Sequence, residues 1–218
     1  MATICYLPSS GSAAVSPTAS GTDWTLHINT DSRPLNFTRG NTALTTLAYN
    51  PDGVAHLVAG TSMLAQFVSQ ILPPQAIAAQ QIAIGLRCLE ALATNNLTLR
   101  TKIYGCNVAG SSNLGNILPI ASGTVEYGTS ISGICNAYAG SAVTFNEPWR
   151  LVVELGSGGT PTTTGTHNAS MAFGDPMATG AFNFPQSADT TACTPILVFS
   201  NDIITSFGGP NANYRVGL

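Results

Sequence analysis

At 218 residues and 44% hydrophobic content, with a formal net charge of −3, the chain has the apolar material for a sizeable core and too little net charge for a disordered polymer. Only 8% of its residues are charged, against about 25% in an ordinary soluble domain, so its surface must consist largely of Ser, Thr, Asn, Gly and small apolar groups. Such a near-neutral surface favours association, and Lys102 with its scattered arginines forms no basic run of the kind nucleic-acid binding needs.

The opening Met1-Ala2-Thr3-Ile4-Cys5-Tyr6-Leu7-Pro8 lacks the basic and apolar regions of a signal peptide. Ser9 to Thr22 is small and polar, with Pro17 inside it, so residues 1–22 are read as an extended N-terminal arm that a neighbouring subunit could order. Regular structure is expected to begin where Trp24, Leu26 and Ile28 alternate with Thr25 and His27. Asn50-Pro51-Asp52-Gly53 is a turn signal, and a strand is expected over Ser62 to Ser69. Gln75 to Leu92 is divided between two readings. Ala, Gln and Leu favour a helix with Pro73 or Pro74 in its first turn, while Ile82, Ile84, Leu86 and Cys88 fall at period two. Gly85 tips the choice to strand. Pro73, Pro74 and the polar residues up to Glu90 also exclude a membrane-spanning helix over Ile71 to Ala93. Leu97, Leu99, Thr101 and Ile103 then alternate with Thr98, Arg100, Lys102 and Tyr104, which predicts a half-buried strand with its charges on the wet face and a hairpin turn at Asn95-Asn96.

Gly105 to Pro119, rich in Gly, Ser and Asn, reads as loop, with strands expected at Gly123 to Tyr127 and Ser141 to Phe145. In Trp149 to Phe173 one strand carries Trp149, Leu151, Val153 and Leu155 on one face, a charge-free loop covers Gly156 to Thr166, and a return strand carries Ala169, Met171 and Phe173. An irregular stretch from Gly174 to Thr194 follows, then a last strand over Pro195 to Phe199. Short strands separated by turn signals predict an all-β, antiparallel, jelly-roll-like β-sandwich. Its predicted parts are an N-terminal arm (1–22), a single sandwich domain (23–205) and a C-terminal arm (206–218).

Catalytic readings find little purchase. The G-x-S-x-G nucleophile elbow is absent, and Gly156-Ser157-Gly158-Gly159 is not followed by the Lys of a phosphate loop. Cys5, Cys88, Cys106, Cys135 and Cys193 are odd in number and contain no C-x-x-C pair, and His27, His56 and His167 make no metal-ligand spacing with them. Glu90, Glu126, Glu147 and Glu154 are the carboxylates to weigh as a glycosidase pair, although Glu154 alternates with Arg150 as a surface ion pair would. Asn36, Asn96 and Asn168 sit in glycosylation patterns that read as chance without an export signal. No catalytic residue, cofactor or metal is expected. The candidate ligand or partner contacts are Trp24, Thr162, Thr163, His167 and Asn168.

Three stretches together carry a family resemblance: Gln66-Phe67-Val68 with Leu72-Pro73-Pro74-Gln75-Ala76-Ile77; Ile84-Gly85-Leu86-Arg87-Cys88-Leu89-Glu90 with Leu97 to Tyr104; and Trp149-Arg150-Leu151-Val152-Val153-Glu154-Leu155 with Asn168 to Asp175. Covering about half the chain, from Ser62 to Asp175, they resemble the jelly-roll virion proteins of tailed bacteriophages. The resemblance implies a non-enzymatic structural virion protein. A capsid decoration or cement protein on the capsid exterior would bridge major capsid subunits as a homotrimer or other symmetric oligomer, with no nucleic acid or membrane partner. The alternative it leaves open is a tail or baseplate accessory that binds host surface glycan.

Overall fold

The structure, a computed structural model, describes residues 2–18, 23–24, 26–27, 32–40, 42–49, 61–130, 132–159, 169–174 and 195–207. The strands among them are β1 (Thr3–Tyr6), β2 (Leu26–His27), β3 (Ser32–Leu35), β4 (Thr45–Tyr49), β5 (Thr61–Leu72), β6 (Gln75–Ile77), β7 (Gln80–Glu90), β8 (Leu97–Asn107), β9 (Asn113–Glu126), β10 (Ser132–Gly140), β11 (Val143–Phe145), β12 (Trp149–Gly159), β13 (Ala169–Phe173) and β14 (Ile196–Phe199). A single 3-10 turn at Ala93–Asn95 separates β7 from β8. Among the described residues no helix is long and apolar enough to cross a membrane.

Two sheets face each other. In the first, β7 pairs with β10 along one edge, while β13 and β14 share its other edge, opposite 87–90 and 82–85 respectively. β4 continues that sheet beyond β13, and β1 continues it beyond β14. The second sheet runs β9-β8-β12-β5, with short β2 and β3 parallel to β5 at its far edge. Taken in chain order, β4, β5, β7, β8, β9, β10, β12 and β13 give the orders β4-β13-β7-β10 and β5-β12-β8-β9. That alternation between two antiparallel four-stranded sheets is the jelly roll, so the all-β sandwich expected from the sequence is the fold observed.

The core between the sheets follows from period-two alternation. Ile82, Ile84, Leu86 and Cys88 of β7 meet Leu99 and Ile103 of β8 and Trp149, Leu151, Val153 and Leu155 of β12, all fully buried. Gln75 to Leu92 is therefore strand rather than helix. Cys5, Cys88, Cys106 and Cys135 are free thiols, and Cys193 lies outside the described residues.

Several local expectations fail for identifiable reasons. Trp149 to Phe173 is not a hairpin: β12 and β13 lie in opposite sheets, and β12 runs on through Gly156–Gly159, the opening of what reads as loop. Gly156 sits in the strand because the chains touch there; an added Cβ would lie 1.9 Å from the Ser62 carbonyl oxygen and 2.7 Å from Trp24. The Asn95-Asn96 turn likewise joins β7 and β8 across the sandwich, with Asn96 at a left-handed φ of 48°. Gly105 to Pro119 is mostly strand, and Gly105 is a packing glycine there. A Cβ on it would meet the Phe145 ring at 2.2 Å, where Phe145 stacks on Trp149 with centroids 3.9 Å apart. β10 had no counterpart in the sequence reading.

The expected N-terminal arm is divided too. Thr3–Tyr6 is a strand of the first sheet, with Cys5 and Leu7 fully buried, and residues 9–18 lie against the second sheet of their own chain. At the other end, 195–207 are described up to Phe207; Ile203 N–H donates to Thr3 Oγ1 at 2.8 Å, which ties the two ends together. The turn at 50–53 and all but the first residue of the irregular stretch at 174–194 lie outside the described residues.

Candidate functional site

β12 sends Trp149, Leu151, Val153 and Leu155 into the core, so Arg150, Val152 and Glu154 emerge on the outer face of the second sheet. Strand register lines them up with their neighbours. Glu154 stands between Gln66 of β5 and Lys102 of β8, and Val152 stands between Val68 and Tyr104. This face is not wet. Val68, Tyr104, Cys106 and Val152 form a second buried apolar cluster, roofed by Ala13 and Val15 of the 9–18 segment. Lys102, expected on the solvent side, is only 2% exposed and pairs with Asp23, its ammonium 5.0 Å from the Tyr104 ring centroid.

Glu154 is fully buried under this roof, and its carboxylate is held by three donors. Trp24 Nε1 donates to Oε2 at 2.7 Å, while Gln66 Nε2 and Tyr104 Oη donate to Oε1, each at 2.9 Å. Gln66 Nε2 also reaches the Pro17 carbonyl at 3.1 Å, and Ser32 Oγ donates to Gln66 Oε1. The carboxylate is thus the hub through which Pro17 and Trp24 are tied to β5, β8 and β12. Burial, and then the adjacent Glu154 charge, raise the Tyr104 phenol well above its ordinary pKa, so it stays a donor. Burial likewise pushes the Cys106 thiol up to about 11, against a smaller lowering by Arg150.

Arg150 is not the ion-pair partner of Glu154. Its Nε donates to the Val108 carbonyl and its Nη1 to the Ser69 carbonyl, both at 3.0 Å. It lines a cleft of about 350 Å³ together with Ser12, Asn36, Thr38, Ser69 and Thr205. Of the other carboxylates, Glu90 accepts from Leu97 N–H at 3.0 Å. Its pKa is raised, first by burial and then by the charge and hydrogen bond of Glu126. Glu90 and Glu126 therefore touch, whereas glycosidase carboxyls stand about 5 Å or more apart across a sugar.

Of the sequence-derived contact residues, only Trp24 falls within the described set, and it is a core residue. At 4% exposure, with its N–H committed to Glu154, the indole offers no open face for a sugar to stack on. Thr162, Thr163, His167 and Asn168 lie outside the described residues. The polar hub of Gln66, Tyr104 and Glu154 and the Arg150 cleft were missed. One signal pointed to them: Val152 is apolar on the face that Arg150 and Glu154 make look wet.

No protein-family model matches the chain, and no curated protein matches it in sequence. Among solved structures, the infectious bursal disease virus VP2 subviral particle is similar at 10% identity and a TM-score of 0.31, over 72% of this chain and 36% of that chain. T=1 particles derived from the same virus match at 10% identity and a TM-score of 0.27, over 76% and 37%. A CocE/NonD family hydrolase from Staphylococcus aureus matches at 11% identity and a TM-score of 0.30, over 91% and 34%. The chain spans about a third of the length of each. A likeness this slight, shared by a capsid protein and a hydrolase, carries no argument about function.

Proposed function

We propose that this protein is a non-enzymatic structural component of a virion, a capsid decoration or cement protein of a tailed bacteriophage that sits on the capsid exterior. The observation that carries the reading is the strand order β4-β13-β7-β10 over β5-β12-β8-β9, an architecture that recurs in viral capsid domains and lectins. Fold alone does not assign function, and two further features support the reading. The charge-poor composition suits a molecule that spends its life against other protein surfaces. The sequence resemblance over Ser62 to Asp175 points to the same class. In this role the protein would act as a symmetric homo-oligomer, bridging major capsid subunits through interfaces that bury more than ~1,000 Å².

The test is a copy number per particle, with antibody labelling to locate the protein. Hundreds of copies on the head, and particles that lose heat and osmotic resistance without it, are the expected result. A handful of copies at the tail tip, together with glycan-array binding by the isolated protein, would replace this reading with a tail accessory. Unchanged resistance of particles lacking the protein would remove the cement role.

A further inference from the structure

We propose that the cleft at Arg150 is an oxyanion site that takes a carboxylate or phosphate group. The inference stands on local chemistry and does not depend on the virion reading. Arg150 is 8% exposed on the outer face of β12, in register with Cys106 of β8 and Ile71 of β5. Its two hydrogen bonds go to neutral carbonyls, those of Val108 and Ser69, and its Nη2, which bonds to no described residue and is not among the buried unpartnered nitrogens, is open to the cleft. The nearest acid on its own strand face, Glu154, is committed to Trp24, Gln66 and Tyr104, and Asp23 is committed to Lys102. A cation largely withdrawn from water, with no counter-charge among the described residues, is unfavourable, and a guanidinium, unlike a buried ammonium, cannot escape by losing its proton. The charge therefore persists and calls for an anion.

The surroundings suit one. Ser12, Thr38, Thr205 and Ser206 line the same cleft, so a ligand oxygen held by Arg150 Nη2 has further hydroxyl donors nearby, while the Ser69 hydroxyl is already spent on the Gln70 carbonyl. An apolar shelf of Ile71, Val108, Pro148 and Phe207 adjoins it through Gln70 and Ser206. Phe207 and Val108 are among the exposed large hydrophobics of the chain. A polar pocket beside an apolar shelf fits an organic carboxylate as well as it fits bare phosphate. Two sources share that chemistry: a free oxyanion, or an acidic side chain of a second copy, such as the exposed Glu147.

The experiment titrates the full chain calorimetrically with sodium phosphate and with sodium acetate at constant ionic strength. Sedimentation velocity is run in parallel on wild type, Arg150→Gln and an Arg39→Gln control. For a free ligand, saturable one-to-one binding is expected in wild type and control and is weakened at least tenfold in Arg150→Gln. For a second copy, wild-type self-association is expected to be competed by phosphate and weakened at least tenfold by Arg150→Gln. Should Arg150→Gln not fold, the Nε–H resonance of Arg150 in the wild type gives the answer. A shift that saturates with phosphate supports the site, and a resonance indifferent to it refutes the site. Binding and association that are both absent, or both indifferent to Arg150, overturn the proposal.

Discussion

Replacing Tyr104 by Phe removes one oxygen from a fully buried ring and leaves its packing against Val68, Cys106 and Val152 in place. The lost bond is the 2.9 Å donation to Glu154 Oε1, and hydrogen bonds to charged groups contribute about 1.5–3 kcal/mol. Gln66 still donates to the same oxygen and Trp24 to the other, so the carboxylate keeps two of its three partners and the lower half of that range applies. The expected loss is about 1.5–2 kcal/mol. In urea, with a slope of ~2 kcal/mol/M, the midpoint should fall by about 0.75–1 M with the slope unchanged. Tyr138→Phe serves as the internal control. Its hydroxyl only accepts from Thr101 Oγ1 at 3.4 Å, a long neutral contact, so its loss should stay below about 1 kcal/mol. Equal losses in the two variants, or a Tyr104→Phe loss under ~0.5 kcal/mol, would refute the hub at Glu154. A Trp24→Phe, Tyr104→Phe double-mutant cycle should show coupling of at least ~0.5 kcal/mol, because both residues hold one carboxylate.

Gly156→Ala, which forces a Cβ against the Ser62 carbonyl and the Trp24 ring, should cost about 3 kcal/mol or more, read as a lowered urea midpoint or loss of soluble protein. The raised pKa of Glu90 means that the folded state binds the Glu90 proton more tightly than the unfolded chain does. The stabilisation this gives is complete below the ordinary value of 4.5 and is lost as pH rises through the elevated folded pKa. Glu126→Gln removes one cause of the elevation and should flatten that loss in a series of melting temperatures against pH; an unaltered profile would show that the two carboxyls do not interact. Native maleimide labelling followed by peptide mapping should modify half-exposed Cys135 and leave Cys5, Cys88 and Cys106 untouched until urea is added, since burial both hides these thiols and, for Cys5 and Cys106, suppresses the thiolate.

The core face of each strand was legible because it obeys a local rule. Ile82, Ile84, Leu86 and Cys88, like Trp149, Leu151, Val153 and Leu155, alternate with neighbours that point away, and all are buried. The outer face was not legible, because what covers it is far off in sequence. Nothing near Lys102 or Glu154 announces Pro17, Asp23 or Trp24. Sheet membership failed for the same reason: turn residues at Asn95-Asn96 mark a reversal without saying whether the chain returns in the same sheet or crosses to the other. Gly105 and Gly156 read as loop residues because composition cannot distinguish a glycine that turns the backbone from one that lets another chain approach.

The pairing of β1 with β14 governs when this molecule can finish folding. Thr3 lies opposite Phe199, so β1 has its place in the sheet only after β14, far later in the chain, has been made. At about 5–20 residues per second, the apolar side of Thr3–Tyr6 waits roughly 10–40 s for its neighbour. Contacts so remote in sequence also place the chain among slow folders, since their loop entropy is lost before their energy is gained. The sheet is then completed only as fast as β1 and β14 meet, and variants that weaken Cys5 or Leu197 should appear first as aggregates during synthesis rather than as unstable finished protein.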